Sequence, residues 1–139
     1  MSTRILTKIK DVMDTNVVDV DANATVSEAT KLMLQKGVWS VIVTENELPV
    51  GVVTDHDIMR RCIGKGLDMN LVRMKEIMSA PLLIVDGEAP VGDAMAIMVE
   101  KNVSRLYIVE NGKVTGRITH RDVLESNLST FWALSSALA

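Results

Sequence analysis

Along this chain the spacing of apolar residues changes period in a fixed order, and the order is used twice. A β-branched run, Val17 to Val20, precedes apolar positions at helical spacing, Val26, Ala29 and Met33. Two strand-like runs follow, "WSVIVT" and "PVGVVT", separated by "ENEL". A second helical pattern carries Ile58, Met59, Cys62 and Ile63. The series then returns. Leu82 to Val85 reads as a strand, and Val91, Ala94, Met95 and Met98 read as a helix. "SRLYIV" and "VTGRIT" flank "ENGK", and Val123, Leu124 and Leu128 close the unit. The predicted unit is β-α-β-β-α, an α+β pattern. Its few short strands cannot cover both faces alone, so the two copies are expected to share one core.

Sliding the sequence by 65 residues aligns Met13 to Ile58 with its second copy without a gap, with roughly 14 identities in 46 positions. Thr25-Val26-Ser27-Glu28 is a capping box for the first helix. Pro90 is expected in the first turn of its counterpart, where a missing N–H costs little. Gly37 and Asn102 take equivalent places after these helices and suit a left-handed cap. Asn111-Gly112 marks a tight hairpin. "GKGLDMN", residues 64 to 70, joins the copies. The repeats are assigned to residues 1–66, with an N-terminal helix, and 67–127, leaving 128–139 as a helical tail.

Composition narrows the class. The chain has 139 residues, 47% of them hydrophobic, which argues against disorder. A net charge of −3 lacks the basic footprint of a nucleic-acid binder. Cys62 is the only cysteine, so neither an internal disulfide nor a thiolate cage is available, and a buried helical role is expected. No apolar run approaches the roughly 20 residues of a membrane helix, and the first residues lack a signal-peptide core. A soluble cytoplasmic protein is expected. The tail "LSTFWALSSALA", with Phe131, Trp132 and Leu134, reads as a packing or dimer helix.

"GVVTDHD" at 51–57 and "GRITHRD" at 116–122 share Gly-x-x-Thr-x-x-Asp at a strand-to-helix corner. Thr54 with Asp57, and Thr119 with Asp122, fit the capping pattern. The same geometry suits a ligand. A carboxylate beside a helix start can accept from two ribose hydroxyls, and helix-start amides can hold phosphate.

The element order, the duplication and the two corners resemble a paired cystathionine β-synthase (CBS) domain, a Bateman module, over about residues 10 to 127. The resemblance implies a tandem CBS pair with pseudo-twofold symmetry and two clefts. It implies a regulatory module that senses an adenosine ligand (AMP, ADP, ATP or S-adenosylmethionine) and that dimerises through its helices. The regulated partner would be an enzyme or a transporter. A structural or dimerisation module with vacant clefts is the alternative. In this family the corner aspartate holds the ribose, so Asp57 and Asp122 are the ribose candidates, each with its threonine.

The resemblance further implies that a cleft takes its phosphate grip from the other repeat. The Asp57 cleft would draw on Ser104, Arg105, His120 and Arg121, whose cations suit phosphate oxygens. The Asp122 cleft would draw on Trp39-Ser40 and Asp55-His56, a poor phosphate site. Val52, Tyr107 and the stretch from Ala80 to Leu82 are expected beside adenine. Arg117 alternates with Ile118 and is expected to face solvent or a dimer partner. His56 and His120 are the only histidines, and no catalytic constellation or protein-only metal site emerges. No cofactor is required; magnesium bridging a bound polyphosphate is compatible with the reading.

Overall fold

A computed structural model of the chain describes residues 7–138, and leaves the side chains at 129–131, 134 and 138 undescribed. Phe131 and Leu134 of the tail therefore lie outside the described side chains. The elements run α1 (Ile9–Val12), β1 (Asp19–Asp21), α2 (Val26–Lys36), β2 (Ser40–Glu45), β3 (Leu48–Thr54) and α3 (Asp55–Arg61). A 3-10 turn at Ile63–Lys65 follows, then α4 (Met74–Ile77), α5 (Val91–Lys101), β4 (Arg105–Glu110), β5 (Lys113–Thr119) and α6 (His120–Leu138).

The chain forms two compact units that do not follow the order of the repeats. Unit one comprises Asn16–Leu82 and Glu110–Val114; unit two comprises the described residues up to Thr15, Leu83–Val109 and those from Thr115 on. Each repeat is thus packed against the segment that leads into the other. In unit one, Met74 N–H donates to Ala24 O and Lys75 N–H to Ala22 O, while Val26 N–H donates to Val72 O. In unit two the same bonds recur 65 residues apart: Ile9 to Ala89, Lys10 to Gly87, and Val91 to Thr7. Short α1 and α4 are stable because they are docked; four residues alone would not hold a helix.

Two cores result, where the sequence suggested one. The first gathers Val26, Ala29 and Met33 of α2, Val41, Val43 and Val53 of the sheet, and Met74 and Ile77 of α4. The second gathers Val91, Ala94, Met98, Leu106, Ile108 and Ile118 around Ile9 of α1. The borrowed helices supply the side chains that close each core.

In unit one, β1 pairs parallel to β2, and β2 antiparallel to β3, with a register shift between Val43 and Thr44. In the second repeat β4 and β5 pair, but the predicted strand at Leu82–Val85 shrinks to a single parallel bridge between Ile84 and Tyr107. Pro81 removes a donor at its start, and Leu82-Leu83 lack β-branching.

The capping box of Thr25 and Glu28 is formed in both directions. Pro90 stands at the N-cap of α5, one position ahead of the expected first turn. Gly37 and Asn102 both adopt the left-handed conformation. The Asn111-Gly112 turn has positive φ at both positions, and so does Asn46-Glu47, which composition alone did not mark. After α3 the chain breaks at Gly64 and Gly66; a Cβ on Gly64 would stand 2.8 Å from Met59 O, and Gly66 has φ of 71°. Ser129 and Phe131 occupy those places in the second repeat, and α6 runs on without interruption.

Candidate functional site

The corner of unit one is built by the end of β3 and the start of α3. Thr54 is extended, at φ −108° and ψ 168°, which aims its hydroxyl at the helix start. Its Oγ1 accepts from Asp57 N–H at 3.2 Å, and Asp57 Oδ2 accepts from Thr54 N–H at 2.9 Å. Asp55 N–H donates to Trp39 O at 3.0 Å, and His56 N–H to Asp55 Oδ1 at 2.9 Å. The first three helix amides therefore have partners. The start of α3 presents no unpaired amide to a phosphate at these three positions.

What the cap leaves over is the second oxygen of Asp57. Oδ1 lies 3.8 Å from Arg61 Nε, beyond hydrogen-bond length, and the Asp57 side chain is 16% exposed. A carboxylate has roughly four acceptor directions, so capping through Oδ2 leaves room for a ligand's hydroxyls.

The wall beside this carboxylate is also fixed. Val52 and Ser79 exchange two backbone hydrogen bonds, of 3.0 and 2.9 Å. This sets the exposed Ala80 and the buried Leu82 on the chain that runs past Val52. Thr54, Asp57, Val52, Ala80 and Leu82 all belong to unit one.

The corner of unit two has the same frame. Thr119 N–H donates to Asp122 Oδ2 at 2.8 Å, and Asp122 N–H to Thr119 Oγ1 at 3.2 Å. Thr119 Oγ1 also donates to Asp122 Oδ2, at 3.0 Å. His120 N–H donates to Ser104 O at 3.1 Å, as Asp55 does to Trp39. Ser104, Thr119, His120 and Asp122 are thus brought together, with Arg105 and Arg121 next to them in sequence. Arg121 pairs with Glu125 at 3.1 Å, with both side chains largely in water, a pair of little strength. Tyr107 is 2% exposed, and its backbone bonds to Leu83 and Val85. Arg117 does not face solvent: it pairs with Asp14 at 2.9 Å, and the two exchange backbone hydrogen bonds. The borrowed N-terminal segment took the place that the sequence reading left to water or a dimer partner.

Arg61 is the residue that the sequence reading missed. Its Nη1 donates to Ile77 O at 3.0 Å and Met78 O at 3.2 Å, which joins α3 to α4. Its one signal in the sequence is an asymmetry, since the matching position of the second repeat is Ser126.

Other features lie apart from the corners. A cavity of about 740 Å³ opens at the hairpin end of unit one's sheet, by Thr44, Glu47 and Pro49, and holds none of the predicted site residues. Cys62 is buried, and burial, with Asp68 nearby, pushes its thiol pKa up, which suits packing rather than reactivity. No group of three His, Cys, Asp or Glu able to hold a metal occurs among the described residues, and no helix there is long and apolar enough to cross a membrane.

Comparison with known proteins gives a consistent match. The family model described as CBS domain matches residues 9–64 and again 74–129. The CBS domain-containing protein YhcV of Bacillus subtilis is 31% identical over 124 residues, 89% of this chain and 88% of that one. A Methanopyrus kandleri protein is 32% identical over 119 residues, 84% of this chain; the chain spans only 61% of that relative's length. A solved structure of a conserved protein from Pyrococcus horikoshii superposes with a TM-score of 0.78 at 31% identity, covering 88% of this chain and 93% of that one.

Proposed function

The chain belongs to the CBS domain family, as a tandem pair of such domains, and from that premise we propose that it is a ligand-sensing regulatory module for an adenosine nucleotide. AMP is the leading ligand, with ADP and ATP as alternatives. The observation that carries the reading is the division of labour at Asp57. One oxygen closes the helix cap, and the other stands outside it within a largely enclosed carboxylate. A ribose presents two adjacent hydroxyls, and a fixed carboxylate accepts from both. Val52 and the Ala80–Leu82 stretch are the proposed neighbours of the base.

Because the first amides of α3 already have partners, the phosphate falls to side chains. Arg105, Ser104, His120 and Arg121 are the proposed group. The Arg121–Glu125 pair is weak enough to exchange for a phosphate contact. Magnesium would enter only with a bound polyphosphate. The module acts by linkage, since a nucleotide that binds one arrangement of the protein more tightly shifts its population toward that arrangement. A partner enzyme or transporter would read the shift, and the module itself would catalyse nothing.

Thermal shift with AMP, ADP, ATP, adenosine and S-adenosylmethionine tests the reading, because a ligand of the folded state raises Tm by mass action. AMP should give a concentration-dependent rise in the wild type and none in Asp57→Ala. No rise with any of the five would sink the nucleotide reading and favour a dimerisation module. One observation lends that second reading weight: Met59 and Leu124, at matching positions of the two repeats, are both large, apolar and exposed.

A further inference from the structure

We propose that Arg61 is a positioning residue that clamps the closing residues of α4 to the corner of unit one, and so makes that corner the one competent for ligand. For its ligand this rests on the nucleotide reading; for its mechanics it does not.

One guanidinium serves two ends. Nη1 holds the carbonyls of Ile77 and Met78, at 3.0 and 3.2 Å, just where α4 stops and its carbonyls lose helical partners. Nε reaches toward Asp57 Oδ1 at 3.8 Å. A planar fork is suited to hold such a geometry, and an ammonium is not. The residue after Met78 is Ser79, which exchanges backbone hydrogen bonds with Val52. Val52 lies two residues before Thr54, whose amide holds Asp57 Oδ2. The series Asp57–Arg61–Met78–Ser79–Val52–Thr54–Asp57 therefore returns to its start, with the 3.8 Å ion-pair approach of Arg61 to Asp57 as its loosest link. It ties the ribose acceptor to the wall beside it.

The second repeat holds its borrowed segment by other means. Arg117, at the position of Val52, pairs with Asp14, at the position of Ser79. Ser126 stands where Arg61 would be, so that position offers no guanidinium. Asp122 Oδ2 instead accepts from both the amide and the hydroxyl of Thr119. A guanidinium clamp between the corner aspartate and the borrowed helix is therefore a feature of the first corner.

The test uses the full chain, with variants Arg61→Gln and Arg61→Lys. Amide exchange is followed by NMR, and AMP binding by calorimetry. The Arg61 side chain is 46% exposed, so both variants should fold. Exchange at Ser79 N–H and Val52 N–H should quicken about tenfold or more in Arg61→Gln, with Arg61→Lys between it and the wild type. Tyr107 N–H, in unit two, should keep its rate, which separates a lost clamp from general loosening. AMP affinity should fall severalfold in Arg61→Gln, because the wall beside Asp57 loosens and the carboxylate loses a partly exposed ion-pair partner. Unchanged exchange at Ser79 and Val52 overturns the clamp. Faster exchange with unchanged AMP affinity overturns its link to the ligand. Failure of the wild type to bind AMP overturns the nucleotide reading instead, and the exchange rates then decide the clamp alone.

Discussion

A Cβ placed on Gly51 would stand 2.8 Å from the carbonyl oxygen of Ser79, closer than real Cβ atoms come. Gly51 opens the first corner motif, and Ser79 belongs to the segment that leads into the other repeat. The glycine is there because a backbone passes over it. At Gly116, the same place in the second repeat, the nearest atoms that a Cβ would meet belong to the side chain of Met13, which is flexible. Gly51→Ala should therefore destabilise by about 1–3 kcal/mol, and Gly116→Ala by clearly less. Urea unfolding of both variants checks this. The reverse ranking would mean that the close backbone approach at Ser79 is not what holds position 51 to glycine.

Asp57 and Asp122 make nearly the same cap, so the cost of removing either as a cap should be nearly the same. Asp57→Ala and Asp122→Ala are each expected to cost about 1 kcal/mol in chemical unfolding. Their effects on AMP should differ: binding is lost in Asp57→Ala and largely kept in Asp122→Ala, as calorimetry will show. Equal loss of AMP affinity in both variants would reduce the two corners to equivalent sites.

The corners were legible because a capping box is a local device. Thr54 and Asp57, or Thr119 and Asp122, are three residues apart and need only a helix start to meet. The caps at Gly37 and Asn102 were legible for the same reason, as each needs only its own left-handed backbone. What stayed hidden depends on distant chain. The exchange of α1 and α4 between the repeats decides that Arg117 meets Asp14, that Arg61 meets Ile77, and that Gly51 lies under Ser79. Apolar periodicity reports which face of an element is covered, but not by which segment. Four-residue helices also carry too few positions to display a period at all.

Glu88 fastens the borrowed segment of unit two. It accepts from Lys10 at 2.6 Å and from Lys8 at 2.8 Å, and these bonds, Lys10 first, lower its carboxyl pKa from 4.5 to about 2. A depressed pKa means that the folded state favours the charged form. The contribution is complete above 4.5 and is lost as pH falls toward 2. All three side chains are exposed, so the effect is small and salt screens it. The Tm of the wild type should exceed that of Glu88→Gln at neutral pH and low salt. The difference should close on acidification through this window, and also in about 1 M salt. A difference that persists at both extremes would assign Glu88 a role other than ion pairing.

The surface that both repeats leave uncovered points to self-association. Met59 is 61% exposed and its counterpart Leu124 is 51%; Ile63 and Leu128 match in the same way, at 53% and 54%. Single exposed apolar residues are ordinary. Here the repeat has kept large apolar side chains in water twice, at the same places. On α6 the exposed Leu124, Leu128 and Trp132 fall at i, i+4 and i+8, which is one stripe of a helix. A monomer gains nothing from such a stripe, whereas a twofold dimer buries it from both chains at once. Light scattering at micromolar concentration should give at least twice the 15.2 kDa of one chain. Leu128→Glu combined with Met59→Glu should reduce the mass to one chain. It should change the stability of the monomer by only about 0.5 kcal/mol, because neither side chain is buried within it. A wild type that runs as a monomer would remove self-association from the account, and would leave the stripe for a different protein to cover.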